Sequence, residues 1–210
     1  NILLYQKKRK NESNITFLGY SPKGKEKIVN HIAMGDSITG MFGYGTSYPE
    51  MITRMSEKIN SINVGFSGSQ ITDHTDTNYK AFCFNRLVDA IISNNWTLQD
   101  TAVSNIDSKY YDEHLTALKN VDFNDVDYVT LFYGTNDWSN GILLDTMKTV
   151  YIESITKLLT AFPHLKLIVI SPYWRSVVSG KDSNVDANSK GEYLYDFADA
   201  IEELAKNNFN

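Results

Sequence analysis

Four short apolar segments along the chain each end in small or polar residues. The segments are 28–34, 62–66, 128–133 and 165–170. Apolar runs of this length, bounded by turn residues, predict buried β-strands. The first predicted strand stops abruptly at Gly35, Asp36 and Ser37, so we expect it to bring the Ser37 hydroxyl to the rim of a sheet.

Amphipathic segments lie between the predicted strands. A helix is expected to begin at Ser47, because a serine three residues before Glu50, with Pro49 in the first turn, forms a capping box. Apolar residues at helical spacing predict the other helices, at about 79–93, 147–162 and 192–206. The long polar segment 94–120 predicts one short helix, and we expect it to form a cap over the rim of the sheet.

Strands that alternate with helices predict an α/β domain, a three-layer α/β/α sandwich around a parallel sheet. The domain is expected to cover residues 28–210, and residues 1–27 are interpreted as a lead-in segment from a preceding module that could form a short edge hairpin. No strand is predicted after the last helix. We therefore expect a sheet without its last strand, with an unpaired edge at the fourth strand or its neighbour that could favour association.

Composition narrows the class of protein. The formal net charge of −5, with one short basic run at 7–10, argues against a dedicated nucleic-acid binder. Cys83 is the only cysteine and lies in an apolar cluster, so it is interpreted as a small buried hydrophobe. No apolar run approaches the roughly 20 residues of a membrane span. The chain shows no signal peptide and begins with Asn1, which we interpret as a piece of something larger.

The carboxyl ends of neighbouring parallel strands meet at one edge of a sheet, where ligands bind. Residues at these strand ends are therefore expected to share one crevice. They are Ser37, Gly65, Asn136 and Trp174. A serine attacks a carbonyl only when a base removes its proton and donors stabilise the oxyanion. The backbone N–H groups of Ser37 and Gly65 and the side-chain amide of Asn136 are candidate donors, and glycine at 65 allows close approach of the backbone.

Three motifs carry a family resemblance. They are G-D-S-I at 35–38, N-V-G at 63–65 with Gly68 after it, and G-T-N-D at 134–137. In this order, and each at the end of an apolar strand, they resemble the first three sequence blocks of the SGNH, or GDSL, hydrolases. The resemblance covers about residues 28–210.

The resemblance implies a flavodoxin-like sandwich in which Ser37 is the nucleophile. Ser37, Gly65 and Asn136 match the family residues that form its oxyanion hole. Asp36 would hold the turn, and Asp137 would not be the acid of the triad. The implied reaction passes an acyl group through an acyl-enzyme to water, or sometimes to another hydroxyl, without a metal or cofactor.

The sequence departs from the family at the catalytic base. The family places it in a D-x-x-H block after the fifth strand, and no Asp or Glu stands three residues before any of the four histidines here. His31 and His164 are expected to be structural, whereas His74 and His114 could lie near the rim. We expect the catalytic Asp and His beyond Asn210, which leaves this chain with little or no hydrolytic activity; a replacement base within the chain is the alternative.

Aromatic residues next to the predicted crevice suggest a substrate class. Trp138, Tyr173 and Trp174 could stack on a sugar ring or could wall the core, and the sequence favours neither. No broad apolar lid of the kind used by triglyceride lipases is visible. An acetyl or other short acyl ester on a carbohydrate is therefore the leading substrate.

Two other functions stay open. A non-catalytic module could bind carbohydrate or a protein partner in the same crevice, and an acyltransferase could pass the acyl group to a sugar hydroxyl. The amino-terminal segment and the polar cap also resemble SGNH domains embedded in multidomain cell-surface or phage tail proteins, so an extracellular, cell-surface or virion location is expected.

Overall fold

A single mixed sheet of five strands forms the centre of the protein. The computed structural model describes residues 2–4, 27–40, 47–173, 182–183 and 185–208. The strands are β1 (Ile2–Leu4), β2 (Val29–Gly35), β3 (Ile59–Gly65), β4 (Tyr128–Phe132) and β5 (Lys166–Ile170). Their order across the sheet is β1-β5-β4-β2-β3, in which β2 to β5 run parallel and β1 is antiparallel to β5. The predicted α/β class with a parallel sheet is confirmed.

Helices flank this sheet. They are α1 (Ser37–Gly40), α2 (Tyr48–Met55), α3 (Thr77–Lys80), α4 (Phe84–Ser93), α5 (Thr97–Ile106), α6 (Lys109–Lys119), α7 (Thr135–Ser139), α8 (Leu144–Ala161) and α9 (Leu194–Asn208). Parallel crossovers are right-handed, so the connection that carries α2 and the connection that carries α8 run over opposite faces of the sheet. None of the described helices is both long and apolar enough to cross a lipid bilayer.

The burial of the central strands shows that both faces of the sheet are covered. In β2 the five residues 31–35 are all buried, and in β4 the residues 129–132 are all buried, without the in–out alternation of a half-exposed strand. The edge strand β3 is buried only at Val64 and Gly65. The central strands therefore place their carboxyl ends on a rigid core, where the candidate site lies.

Three helical predictions need correction. The Ser47 side chain makes no capping hydrogen bond at the start of α2, so the predicted capping box does not form. The single helix expected at about 79–93 is two helices, because the chain leaves the helical path at 81–83 and Phe84 N donates to Gln70 O at 2.9 Å. The polar segment 94–120 contains two helices, α5 and α6, rather than one. Asp107 separates them in the left-handed conformation at a φ of 49°, which aspartate tolerates better than most residues.

The amino-terminal strand β1 covers the edge of the sheet that was expected to be unpaired. Ile2 lies opposite Ile170 and Leu4 opposite Ile168 in an antiparallel ladder. The prediction of an unpaired edge at the fourth predicted strand, β5, is therefore wrong, and part of the predicted lead-in segment belongs to the sheet. A three-residue apolar run carries no signal that names its partner, which is why the sequence did not reveal this pairing.

Candidate active site

The turn that carries Ser37 is built by its aspartate neighbour. Strand β2 ends at Gly35, and Asp36 Oδ1 then accepts the Ile38 N–H at 2.8 Å, while its backbone oxygen accepts the Thr39 N–H at 3.1 Å. Asp36 thus caps the short helix α1 in the manner of an N-cap residue. Ser37 begins this helix half-buried, directly at the end of a buried strand, and Asp36 holds the turn as the family resemblance implies.

Gly65, at the end of β3, lies against the same turn. It pairs with Gly35 across the sheet, and a Cβ atom at position 65 would lie 2.4 Å from Gly40 N and 2.8 Å from Asp36 O. Only glycine leaves room for this approach. The Gly65 N–H already donates to Asn63 Oδ1 at 3.1 Å, so the geometry gives Gly65 a packing role, and its role as an oxyanion donor stays a prediction.

Gly68, three residues further on, offers another backbone donor. Its φ is +73°, a left-handed conformation that favours glycine, and it lies in the turn that follows β3. Within the described part of the chain, its N–H makes no hydrogen bond. Sequence reasoning noted Gly68 only as part of a motif. A strand followed by G-x-x-G was the signal that could have marked it as a donor.

Asn136 joins the loops that follow three strands. It lies in α7, directly after β4, and its Nδ2 donates to Ser69 O at 2.7 Å. The same nitrogen lies 3.5 Å from Asp36 Oδ2, at the outer limit of a hydrogen bond. The structure therefore brings together the Ser37 turn, the loop after β3 and the Asn136 amide, as the motif positions predicted.

Asp137, the neighbour of Asn136, supports the loop after β3. Its fully buried carboxylate accepts the N–H groups of Ile71 at 2.8 Å and Thr72 at 3.1 Å, and the Thr72 hydroxyl at 3.0 Å. Burial raises the pKa of this carboxyl, and the three hydrogen bonds oppose that rise. Its described partners belong to the loop, in keeping with the implication that Asp137 is not the triad acid.

Two of the histidines lie away from the crevice. His31, inside β2, contacts Ser61 Oγ and Thr130 Oγ1 at 2.7 Å each, and burial lowers its pKa to about 4. His164, before β5, contacts Phe123 O at 3.2 Å, at the opposite end of the strands. Both contacts fit the structural roles expected for these residues.

The other two histidines lie on the crevice side, His74 in the loop after β3 and His114 on helix α6. His74 Nδ1 accepts the Asp76 N–H at 2.9 Å. His114 Nδ1 contacts Gly65 O at 2.7 Å, and burial lowers the pKa of its imidazole. Among the described residues, no histidine forms a hydrogen bond with Ser37. The described contacts therefore supply no general base.

The aromatic residues expected to bind a sugar differ in exposure. Trp138 is 2% exposed and its Nε1 donates to Glu192 O at 3.1 Å, so its ring walls the core and offers no face to a ligand. The expectation of stacking on Trp138 therefore needs correction. Tyr173, after β5, is 59% exposed, and its ring contacts that of Phe132 at 5.7 Å between centroids, with a tilt of 41°. Trp174 lies outside the described residues.

Comparisons with known proteins agree with this geometry. No curated protein sequence matches the chain. The solved structures that resemble it include Est24, a carbohydrate acetylesterase from Sinorhizobium meliloti, with a TM-score of 0.52 and 17% identity over 85% of this chain and 80% of that one. A protein from Lactobacillus plantarum gives a TM-score of 0.52 and 17% identity over 86% of this chain and 73% of that one. AlinE4, an SGNH-hydrolase family esterase, gives a TM-score of 0.51 and 16% identity over 88% of this chain and 74% of that one.

These three structures share the fold with this protein at low identity. The sequence itself is matched by the family model of GDSL-like lipases and acylhydrolases over residues 33–209, a range that includes the Ser37 turn, the loop after β3 and the start of α7. The resemblance noted in the three motifs is thereby confirmed, and the chain belongs to the GDSL-like lipase/acylhydrolase family.

Proposed function

We propose that the protein is a serine esterase that removes short acyl groups, acetyl above all, from carbohydrate. One observation carries the proposal: the Ser37 turn, capped by Asp36, lies beside the Asn136 amide, whose Nδ2 is anchored by one N–H to Ser69 O at 2.7 Å. Its other N–H faces Asp36 Oδ2 at 3.5 Å, the outer limit of a hydrogen bond, and is the donor proposed for the oxyanion. A nucleophile at the start of a helix and a neutral amide donor beside it suit attack on an ester carbonyl.

The proposed reaction proceeds through an acyl-enzyme. Ser37 Oγ attacks the ester carbonyl as a base takes its proton, and the resulting oxyanion is stabilised by the Ser37 N–H, Asn136 Nδ2 and a backbone N–H of residues 65–68. The alcohol leaves with a proton, and water then releases the acid and restores Ser37. The proposed base is the histidine of a D-x-x-H block, as the family resemblance implies, and no described residue takes its place.

The carbohydrate part of the proposal rests on two supports. Tyr173 is exposed beside the ends of β4 and β5, and aromatic side chains suit stacking on the apolar face of a sugar. The structural relative Est24 is described as a carbohydrate acetylesterase. We take acetylated oligosaccharides as the first substrates to examine.

The test compares the wild-type chain with Ser37→Ala. The chain is incubated with p-nitrophenyl acetate and with an acetylated oligosaccharide, and acetylated Ser37 is sought by peptide mass spectrometry. We expect slow acetylation of Ser37 and little release of acetate. The Ser37→Ala variant should lose both the acetylation and the release of acetate, since loss of a triad member lowers the catalytic rate about 10⁴- to 10⁶-fold. Asn136→Ala should slow acylation about 10²- to 10³-fold.

Ser56→Ala is the matched control, because Ser56 is also half-buried but lies at the end of α2, before β3 begins. Ester hydrolysis that survives Ser37→Ala unchanged would contradict the proposal. Product analysis in the presence of an acceptor sugar separates hydrolysis from transfer, since a transferase yields mainly acylated acceptor.

A non-catalytic binding module is the second candidate, and one observation favours it: no described histidine contacts Ser37. Binding of the acetylated oligosaccharide in calorimetry, without acetylation of Ser37 and without release of acetate, is the result expected of such a module.

A further inference from the structure

Helix α6 directs three side chains at the backbone that follows β3. The Tyr110 hydroxyl donates to Gly65 O at 2.6 Å, and His114 Nδ1 contacts the same oxygen at 2.7 Å. The Tyr111 hydroxyl donates to Ser67 O. We call Tyr110, Tyr111 and His114 the carbonyl clamp.

The tautomer of His114 follows from its partner. A backbone oxygen can only accept, so the His114 Nδ1 must carry the proton, and Gly65 O receives two donors from one helix. The Tyr110 and His114 rings pack with their centroids 4.4 Å apart, which holds both donors in place. Two donors that converge on one oxygen fix the orientation of the Gly65–Phe66 peptide more firmly than one donor would.

That peptide lies directly against the Ser37 turn. Phe66 N donates to Gly35 O at 2.9 Å, and Tyr110 also packs on Gly40, since a Cβ atom at position 40 would lie 1.9 Å from the Tyr110 hydroxyl oxygen. A shift of the clamp would therefore move the end of β3 and the helix that begins at Ser37 together.

The far side of the same loop is held by α7. Asn136 Nδ2 donates to Ser69 O at 2.7 Å, and Asn140 Nδ2 donates to Gln70 Oε1 at 2.7 Å. Residues 65–70 thus lie between donors from α6 and donors from α7. Gly68, whose N–H is a candidate oxyanion donor, lies between the two sets of anchors.

We propose that Tyr110, Tyr111 and His114 are positioning residues of the Ser37 site. They hold the carbonyl groups of residues 65 and 67, which sets the direction of the N–H groups in this loop and supports the Ser37 turn. The proposal rests on the proposed function in one respect: the positioned N–H groups are taken to stabilise the oxyanion formed on attack by Ser37.

The first readout is covalent labelling of Ser37 by a fluorophosphonate ester, which measures the maximal labelling rate and the reagent affinity separately. Tyr110→Phe and His114→Ala each remove one donor, and each should lower the maximal rate about fivefold, the factor for one neutral hydrogen bond. The double variant should lose about 25-fold, with reagent affinity unchanged. His114→Asn keeps an N–H near the position of Nδ1 and should restore the rate to within about twofold of wild type.

Tyr79→Phe is the control, because the Tyr79 ring also packs on Tyr111 but belongs to α3 and not to the clamp. It should leave the labelling rate unchanged. A double variant that labels at the wild-type rate overturns the proposal, as does a loss confined to reagent affinity. A labelling rate that is no higher in His114→Asn than in His114→Ala also counts against the proposal.

The second readout does not depend on catalysis. Amide hydrogen exchange by NMR should show faster exchange of the hydrogen-bonded N–H groups of Gly65, Phe66 and Ser69 in the double variant than in the Tyr79→Phe control. If the wild-type chain takes no label at Ser37, the proposed function fails while this measurement still decides on the clamp. Unchanged exchange at these three amides would overturn the clamp itself.

Discussion

Polar side chains around the crevice direct their hydrogen bonds to backbone groups of loops. Asp137 binds two N–H groups and one hydroxyl, and Asn136 binds the oxygen of Ser69. Buried backbone groups outside regular strands need such partners, because water cannot reach them. The loops after β3 and β4 are therefore shaped by a few individual side chains.

Replacement of Asp137 tests at a single position whether an individual side chain shapes the loop after β3. Asp137→Asn keeps the size of the side chain but turns an amide nitrogen toward N–H donors, so at least one buried donor loses its acceptor. We expect the free energy of unfolding to fall by about 1–3 kcal/mol. Urea denaturation followed by circular dichroism measures the change.

Asp145→Asn serves as the control, because the Asp145 side chain is 97% exposed at the start of α8. The Asp145→Asn substitution should change the free energy of unfolding by no more than about 0.5 kcal/mol. Equal losses in the two variants would contradict the role given to Asp137.

Sequence reasoning identified the residues that lie at strand ends but not the contacts among loops. Ser37, Gly65 and Asn136 were found because each follows an apolar run, and parallel strands bring their ends together. Tyr110 and His114 bind a backbone oxygen, which every residue possesses, so no sequence pattern marks this partner. The burial of Trp138 was likewise undetermined, because it depends on Glu192 from a distant segment.

Helix α1 and strand β3 approach each other more closely than they could if the residues at their contact carried side chains. Gly40 and Gly65 meet backbone to backbone, and a Cβ atom on either would lie less than 3 Å from main-chain atoms of the other. Neither Gly40 nor Gly65 can move to make room for a side chain without also moving the end of β3 or the Ser37 turn. This contact sets the distance between the nucleophile turn and the loop after β3.

The variant Gly65→Ala should therefore cost more than an ordinary glycine replacement. We expect a loss of about 1–3 kcal/mol in the free energy of unfolding, or a displaced Ser37 turn, because the added methyl group has no space. Gly191→Ala is the control: position 191 has a φ of +82°, but nothing lies within 4 Å of an added Cβ. Thermal unfolding of both variants should show the larger shift for Gly65→Ala, and the reverse order would refute the packing argument.

Helices and strands were predictable where their residues are buried without interruption, and less predictable where a contact from another segment determines where the element ends. The four parallel strands were placed within a few residues, because both faces of each central strand are apolar. The predicted helix at about 79–93 hid a break, since its apolar spacing continues through 81–83 although Phe84 N bonds to Gln70 O. That bond comes from a loop whose path the local sequence does not determine.

The stability of the protein should depend on pH through a buried histidine. His31 is 4% exposed inside β2, and burial lowers its pKa from 6.5 to about 4. Between these values the unfolded chain binds a proton that the folded protein does not, so the free energy of unfolding falls as the pH falls through this window. The contribution of His31 amounts to about 3 kcal/mol at most.

The variant His31→Gln removes this titration while keeping polar atoms near Ser61 and Thr130. Denaturant unfolding at several pH values from 7.5 down to 4 should show a smaller loss of stability on acidification in the variant than in the wild type. Identical pH profiles for the two proteins would show that His31 is not responsible.

The pairing of β1 with β5 affects how the chain can fold during its own synthesis. Ile2 is made long before its partner Ile170. Contacts so distant in sequence form slowly, because the intervening chain must first be closed into a loop. On a ribosome, β1 must wait until residue 170 has left the exit tunnel. Completion of the sheet therefore has to wait for the synthesis of β5, and until then the nascent β1 is open to chaperones and to neighbouring chains.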